Sequence, residues 1–522
     1  MWADGAMGHS PVPHRCFALF LSKCKRSGVC PMEKRVFGLE TEFGCLVRDP
    51  SVGTPEDVVE AVKDHAFYER RLGVIDLHAR DYAFEPARAG GFLRNGGRLY
   101  IDAVGSHEEY ATPECSDLAD IVAHDRAGRA ILHEMLDDLG LAGTASFHNN
   151  SVDHFGGHTF GCHENYLVQI EDRFFTDALS SLLPFLVTRQ IFAGTGRVGG
   201  HRLTRPSSKT NIMTIGEHEV DYVWVSNFYG VEIDPTVDFQ LSQRADHIVK
   251  TVSSRVRFNR AIINPKWDSY YSYSNLHRLH VLFGESNMSE YASMLKIGST
   301  CAVLDLIEEG CAPADVETLD ALETLRSVSR DPSFRWLVRL RNGRTIPAVD
   351  LQRRYLAAAK QHLRRKDPDT EWVLREWERT LDDLERDPLF TSDRLDWSAK
   401  RRLYQQYIDS EGATWQSDVM QSLDLEYHNV DPSESLHPGL EEAGLMARVV
   451  TEEAVRDAMI HPPENTRAFG RGQIVSHLLM HPGTRYVIDW DAVYIERNRQ
   501  LDLKNPFHTY DKEAARFVRG LS

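Results

Sequence analysis

The chain has 522 residues, 42% of them hydrophobic, and a formal net charge of −17. That length supports a large buried core and more than one domain, and the acidic balance excludes a general nucleic-acid binder, because no overall basic field would attract phosphates. Eight cysteines without a CxxC pair argue against a disulfide framework and fit reduced thiols in the cytoplasm.

In chain order, residues 1–31 fit poorly with the rest of the chain and read as an extension that is disordered or untranslated. Their apolar run Phe17–Leu21 is too short to span a membrane or serve as a secretory signal. Arg35-Val-Phe-Gly-Leu-Glu-Thr-Glu-Phe-Gly44 reads as an apolar strand carrying Glu40 and Glu42 on one side. Alternating acids on such a strand are costly to bury without a partner, and a divalent cation would satisfy them. The alternative is an edge strand with a solvated acidic face. Thr54-Pro-Glu-Asp is a helix start, with a capping Thr, then Pro, then acids in the first turn. Residues 80–91 read as a loop.

Next comes Phe92-Leu-Arg-Asn-Gly-Gly-Arg-Leu-Tyr-Ile-Asp102, whose end alternates as a strand. Arg98, Tyr100 and Asp102 share one face, and Leu99 and Ile101 the other. Glu109 and Thr112 lie a few residues beyond. Arg suits phosphate oxygens, carboxylates suit Mg²⁺, and a carboxylate not needed for metal can act as a general base. The alternative is an ordinary sheet strand with a solvated face.

Residues 120–136 carry apolar positions at helical spacing. His148, His154, His158 and His163 invite a zinc reading, but Gly156, Gly157 and Gly161 argue against the helix that the i,i+4 spacing would need. Gly194-Thr-Gly-Arg-Val-Gly199 matches GxGxxG, yet a helical run, 182–193, precedes it instead of a strand, so it reads as a helix-terminating loop. Tyr222–Tyr229 reads as a hairpin strand. Residues 295–308, 351–363 and 371–384 read as helices, the last using Trp372, Leu374, Trp377, Leu381 and Leu384 for core contacts. Asp431-Pro-Ser-Glu-Ser-Leu-His-Pro438 has linker composition and suggests a boundary near residue 435. Trp490, beyond it, is either a core Trp or an aromatic face for adenine.

Several of these stretches, taken together, resemble one family. They are Leu39-Glu-Thr-Glu-Phe-Gly44, Leu93-Arg-Asn-Gly-Gly-Arg-Leu-Tyr-Ile-Asp102 and Gly105-Ser-His-Glu-Glu-Tyr-Ala-Thr-Pro-Glu-Cys115, then Cys162-His-Glu-Asn-Tyr-Leu167, Leu241-Ser-Gln-Arg-Ala-Asp-His247, Arg278-Leu-His-Val-Leu-Phe-Gly-Glu-Ser-Asn-Met-Ser-Glu290 and Val487-Ile-Asp-Trp490. Their order resembles the Pup ligases and the sister Pup deamidase/depupylases, carboxylate–amine ligases related to glutamine synthetase. The resemblance runs from Met32 almost to the end. The spellings Gly105-Ser-His, Cys162-His-Glu-Asn and Ser286-Asn-Met-Ser-Glu290 are closer to the ligase branch. Three places depart from it. Residues 199–237 are longer, the spacing from Asp102 to Glu109 is one residue longer, and Ile263–Ser274 is aromatic where the family is charged.

The resemblance implies an α+β fold: a glutamine synthetase-like domain over 32–435, with an antiparallel sheet lining an ATP site and packed helices, and a small C-terminal domain over 436–522. It implies an ATP- and Mg²⁺-dependent ligase of the pupylation pathway, which feeds proteasomal degradation. That enzyme would join the C-terminal glutamate side chain of a Pup-like modifier to lysines of target proteins, with no nucleic-acid or membrane partner. Carried over by motif, Glu40, Tyr100 and Glu109 would bind Mg²⁺, with Glu42 as a further ligand. Arg98, Thr112 and Trp490 would hold the nucleotide, Arg244 and Arg278 are secondary phosphate contacts, His163 and Asn165 flank the nucleotide, and Asp102 would be the base. The alternatives are hydrolysis of the same isopeptide bond or a non-catalytic nucleotide-dependent adaptor.

Overall fold

A computed structural model of the chain describes residues 34–76, 90–102, 107–154, 158–169, 178–204, 230–253, 260–265, 276–363, 367–496 and 499–519. The expected extension over 1–31, the hairpin strand Tyr222–Tyr229 and most of the aromatic loop 263–274 lie outside these residues.

A ten-stranded sheet organises the chain. Its strands are β1 (Phe37–Val47), β2 (Gly73–Ile75), β3 (Gly90–Leu93), β4 (Arg98–Asp102), β5 (His107–Ala111), β6 (Ala145–His148), β7 (Cys162–Gln169), β8 (Lys250–Val252), β9 (Ala261–Pro265) and β10 (Leu276–Val281). The order is β8-β9-β10-β7-β1-β5-β4-β3-β2, with β6 also paired to β1. The pairings are antiparallel, as expected, except β8 with β9, which is parallel. Gly90 and Gly91, expected in a loop, belong to β3.

Period-2 alternation splits the two faces of the sheet. Phe37, Leu39, Thr41 and Phe43 of β1 are buried, and helices back that face. Helices Pro55–Asp64 and Leu118–Asp138 share a core with Phe43, Leu99 and Tyr110. Helix Glu290–Glu308 packs in the larger core with Phe37, Leu39 and Tyr166. The helix starts at Thr54 as the sequence suggested, and Thr54 caps it with a reciprocal box to Asp57. Helices Ala348–His362 and Pro368–Arg386 each start three residues earlier than expected, the first ending one residue short and the second two residues late, and Trp377, Leu381 and Leu384 are buried. Gln190–Ala193 is helical and stops at Gly194, so the GxGxxG string begins as a helix-terminating turn, and its Arg197–Val198 then pair as a short strand with Phe239–Gln240. The α+β architecture, with an antiparallel sheet backed by helices, is the expected one.

The C-terminal segment has helices Ala468–Met480 and Asp511–Arg519 around a three-stranded sheet. Its core, including Ile474, Val475, Ile488 and Val493, is shared with Val74 of β2 and Phe92 of β3. Phe92 pairs in register with Arg98, so this segment packs at the β2–β3 edge and walls one end of the polar face. Among the described residues, no helix is long and apolar enough to cross a membrane.

Candidate active site on the polar face of the sheet

Strand register assembles the polar face. Glu42 pairs with Glu109 across β1–β5, and Glu109 pairs with Tyr100 across β5–β4. Asp102 lies opposite His107 in the next row. On the other side, Glu40 sits between Ala111 and His163, with Arg98 beyond Ala111. Antiparallel partners point to the same side, so five residues drawn from separate motifs converge.

One carboxylate oxygen each of Glu42, Asp102 and Glu109 lies within 4.8 Å of the others. Burial, then Asp102, Glu40 and Glu42, push the Glu109 carboxyl well above its ordinary value. Burial, then the charges of Glu109 and Glu40, push the Tyr100 phenol up, and its hydroxyl donates to Glu109. Burial would raise Glu42 too, but His107, whose Nδ1 is 3.0 Å from Glu42 Oε2, outweighs it and holds the carboxyl below its usual range.

Glu40 is held separately. Its carboxylate meets His163 Nδ1 at 3.1 Å, Asn165 Nδ2 at 2.9 Å, His280 Nε2 at 3.3 Å and an Arg278 nitrogen at 3.5 Å. Burial opposes ionisation, but His280 and His163 outweigh it and keep Glu40 well below the usual carboxylate range. Glu40, His163 and His280 form a second close group, so the structure gathers Glu109 with Glu42 and Asp102 and surrounds Glu40 with nitrogen partners.

A solvent-open cavity of about 740 Å³ adjoins this face, lined by Gly38, Glu40, Thr112, Asn165, Arg278, Trp490 and Lys504 among others. The Thr112 hydroxyl accepts from the Leu39 N–H at 3.0 Å. Arg98 lies over the Tyr100 ring at 4.1 Å, and its Nε donates to buried Asp76 at 2.8 Å. Arg244 is buried and donates to the Leu282 carbonyl at 2.8 Å. It lies outside the cavity lining, whereas Arg278 belongs to it.

Several contributors escaped the sequence reading: His107, His280, Asp76, Glu114, Arg467 and Arg471. Isolated histidines carry no periodic signal. The partner of Arg98, Asp76, directly follows β2, whose link to β3 has no motif. Glu114 was visible, two residues beyond Thr112, but its cationic partners are more than 350 residues away.

A family described as Pup-ligase protein matches residues 35–494. A Pup–protein ligase of Rhodococcus erythropolis is 35% identical over 506 residues, covering 94% of this chain and all of the relative. One of Gordonia bronchialis is 34% identical with the same coverage. The solved complex of the prokaryotic ubiquitin-like protein Pup with its ligase PafA superposes with a TM-score of 0.74 and 27% identity, covering 94% of this chain and 92% of that one. PafA in complex with ADP gives 0.69 at 27% identity, covering 88% and 98%. The chain belongs to the Pup-ligase family.

Proposed function

We propose that this chain is an ATP-dependent ligase that joins the side-chain carboxylate of a C-terminal glutamate on a Pup-like modifier to lysine ε-amines of target proteins. The observation that carries the reading is the acidic row of buried Glu42 and Glu109 with half-buried Asp102, next to a cavity bounded by Thr112, Arg278 and Trp490 in a chain of this family. The reading places the chain in the cytoplasm, with neither nucleic acid nor membrane as partner.

A carboxylate does not react with an amine. Transfer of the ATP γ-phosphoryl group onto the modifier's glutamate releases ADP and gives an acyl phosphate with a good leaving group. Attack by the lysine nitrogen then forms the amide and releases phosphate. The lysine is an ammonium at neutral pH and must lose a proton first, and Asp102 is the assigned acceptor. Arg98, Thr112 and Trp490 hold the nucleotide. Thr112 is fixed by its bond from Leu39, and Arg98 is oriented by Asp76.

The residues present fit magnesium: Glu42 and Glu109, with carboxylate oxygens within 4.8 Å of each other, are hard oxygen donors whose mutual repulsion a divalent cation relieves. Glu109 and Tyr100, with Glu42, would hold it, and Glu40 would complete the set from the neighbouring row. When bound, Mg²⁺ supplies neutralisation of the crowded phosphate charge.

The test mixes the chain with ATP, Mg²⁺, a modifier ending in glutamate and a lysine-bearing protein, and seeks the isopeptide by mass spectrometry. Conjugate that forms only with ATP supports the reading. Cleavage of a preformed conjugate with no synthesis would make the chain a depupylase. Nucleotide binding with neither reaction would make it an adaptor.

A further inference from the structure

We propose that Arg471 is the positioning residue that sets the C-terminal segment, and with it Trp490, against the nucleotide cavity. The inference rests on the nucleotide-dependent ligase reading and deepens it.

Arg471 has no exposed surface. Its guanidinium reaches three places on two parts of the chain. It donates to the Gly96 carbonyl, from Nη2 at 2.6 Å, and to the Trp490 carbonyl, from Nη1 at 2.9 Å. It pairs with Glu114, from Nη1 to Oε1 at 3.1 Å and from Nη2 to Oε2. It also lies 4.8 Å from the Trp490 ring centre and 5.4 Å from that of Phe92, and the two rings meet edge-on at 5.0 Å.

These contacts coincide with the nucleotide residues. Gly96 is two residues before Arg98, Glu114 is two after Thr112, and Trp490 is itself the third. One planar fork therefore ties together the backbone around all three, a geometry Arg can make and Lys cannot. Arg467, one helical turn earlier, donates from Nε to Glu114 Oε1 at 2.7 Å. Burial would raise the Glu114 carboxyl, but Arg471 and then Arg467 outweigh it and hold it down to about 2, so the clasp stays ionised at any working pH. Gly472 lies against this junction, and a Cβ there would meet the Arg94 carbonyl at 2.6 Å, so helix Ala468–Met480 approaches the β3–β4 turn too closely for a side chain. The mechanism otherwise has no use for so buried a cation, and the apolar core shared with Val74 and Phe92 already joins the two parts.

The experiment uses the full chain, wild type, Arg471→Lys and Glu114→Gln. It measures ADP affinity with Mg²⁺ by calorimetry, and KM for ATP and kcat in conjugation. Loss of charged hydrogen bonds at the clasp should weaken ADP binding and raise KM for ATP in Arg471→Lys by about tenfold, with kcat at saturating ATP within about threefold of wild type. Glu114→Gln should shift the same way by less and keeps the test alive should Arg471→Lys fail to fold. Affinity for the modifier should be unchanged in both, which a general loss of structure would not allow. Wild-type ADP affinity in both variants, or a fall in kcat with KM unchanged, overturns the inference. A wild-type chain that binds no ADP overturns the ligase reading as well.

Discussion

Glu108 offers a quantitative test of the face assignment. It is adjacent to Glu109 but points to the other side of β5, opposite Phe43 and Ile101. It is fully buried, and neither carboxyl oxygen has a hydrogen-bond partner among the described residues. Its cross-strand neighbours are apolar, and Phe43 belongs to a core cluster with Val59, Val62 and Leu132. Burial pushes its carboxyl well above the ordinary value, and the nearby charge of Lys63, already paired with Glu60 at 2.6 Å, only partly opposes this. The folded state therefore binds this proton more tightly than the unfolded state. The carboxyl's contribution is most favourable below the unfolded carboxylate pKa and is lost as pH rises towards the raised folded value. Within that window the loss is about 1.4 kcal/mol per pH unit, on top of roughly 1–3 kcal/mol for an orphaned buried polar group. Glu108→Leu removes both and keeps a similar volume. Urea unfolding should show a gain of about 1 kcal/mol at pH 5 that is larger by a further 1 kcal/mol or more at pH 8, with an unchanged slope. A variant less stable than wild type at both pH values, or a gain that does not grow with pH, refutes this reasoning.

Three further outcomes are expected at the site. His107→Ala removes the partner that holds Glu42 ionised against burial, so nucleotide affinity should fall about tenfold between pH 8 and pH 6 in the variant and stay nearly flat in wild type, read by calorimetry. Trp490→Ala should raise KM for ATP by about tenfold while Trp490→Phe restores most of it, since a stacked ring contributes roughly 1–3 kcal/mol. An acidic modifier that docks through a local basic and apolar groove should bind more weakly as salt rises, by titration at two ionic strengths.

How much of this was legible depended on whether the signal was local. Alternation alone put Arg98, Tyr100 and Asp102 on one side of their strand and Glu40 with Glu42 on one side of theirs, and both groupings hold on the shared polar face. The helix start at Thr54 was readable because a Thr followed by Pro and then by acids is a four-residue signal, and the structure adds a capping box to it. The register that sets Glu42 beside Glu109 and Glu109 beside Tyr100 was not, because strand pairing is a long-range choice that no single segment encodes. For the same reason the expected metal set paired Glu40 with Glu109, whereas the closest oxygens belong to Glu42, Asp102 and Glu109. His107 and His280 acquire meaning only from the carboxylates they meet. Glu108 looked like one more acid in His107-Glu-Glu-Tyr110, although the alternation that aims Glu109 at the site necessarily aims Glu108 at the core. The parallel pairing of β8 with β9 left no mark that composition could reveal.

The central claim is that the acidic row divides into groups that hold the cation and nucleotide and one group, Asp102, that takes the lysine proton. The measurement is ATP affinity and modifier–lysine conjugation, made side by side on Asp102→Asn and Glu40→Gln. An amide cannot accept the ammonium proton at neutral pH. Asp102→Asn should therefore bind ATP within about threefold of wild type and conjugate about 10²–10⁴-fold more slowly, while Glu40→Gln loses nucleotide affinity. Conjugation by Asp102→Asn at the wild-type rate contradicts the assignment. So does a loss of ATP affinity as large as that of Glu40→Gln, which would place Asp102 with Glu42 and Glu109 on the cation and require another group to deprotonate the lysine.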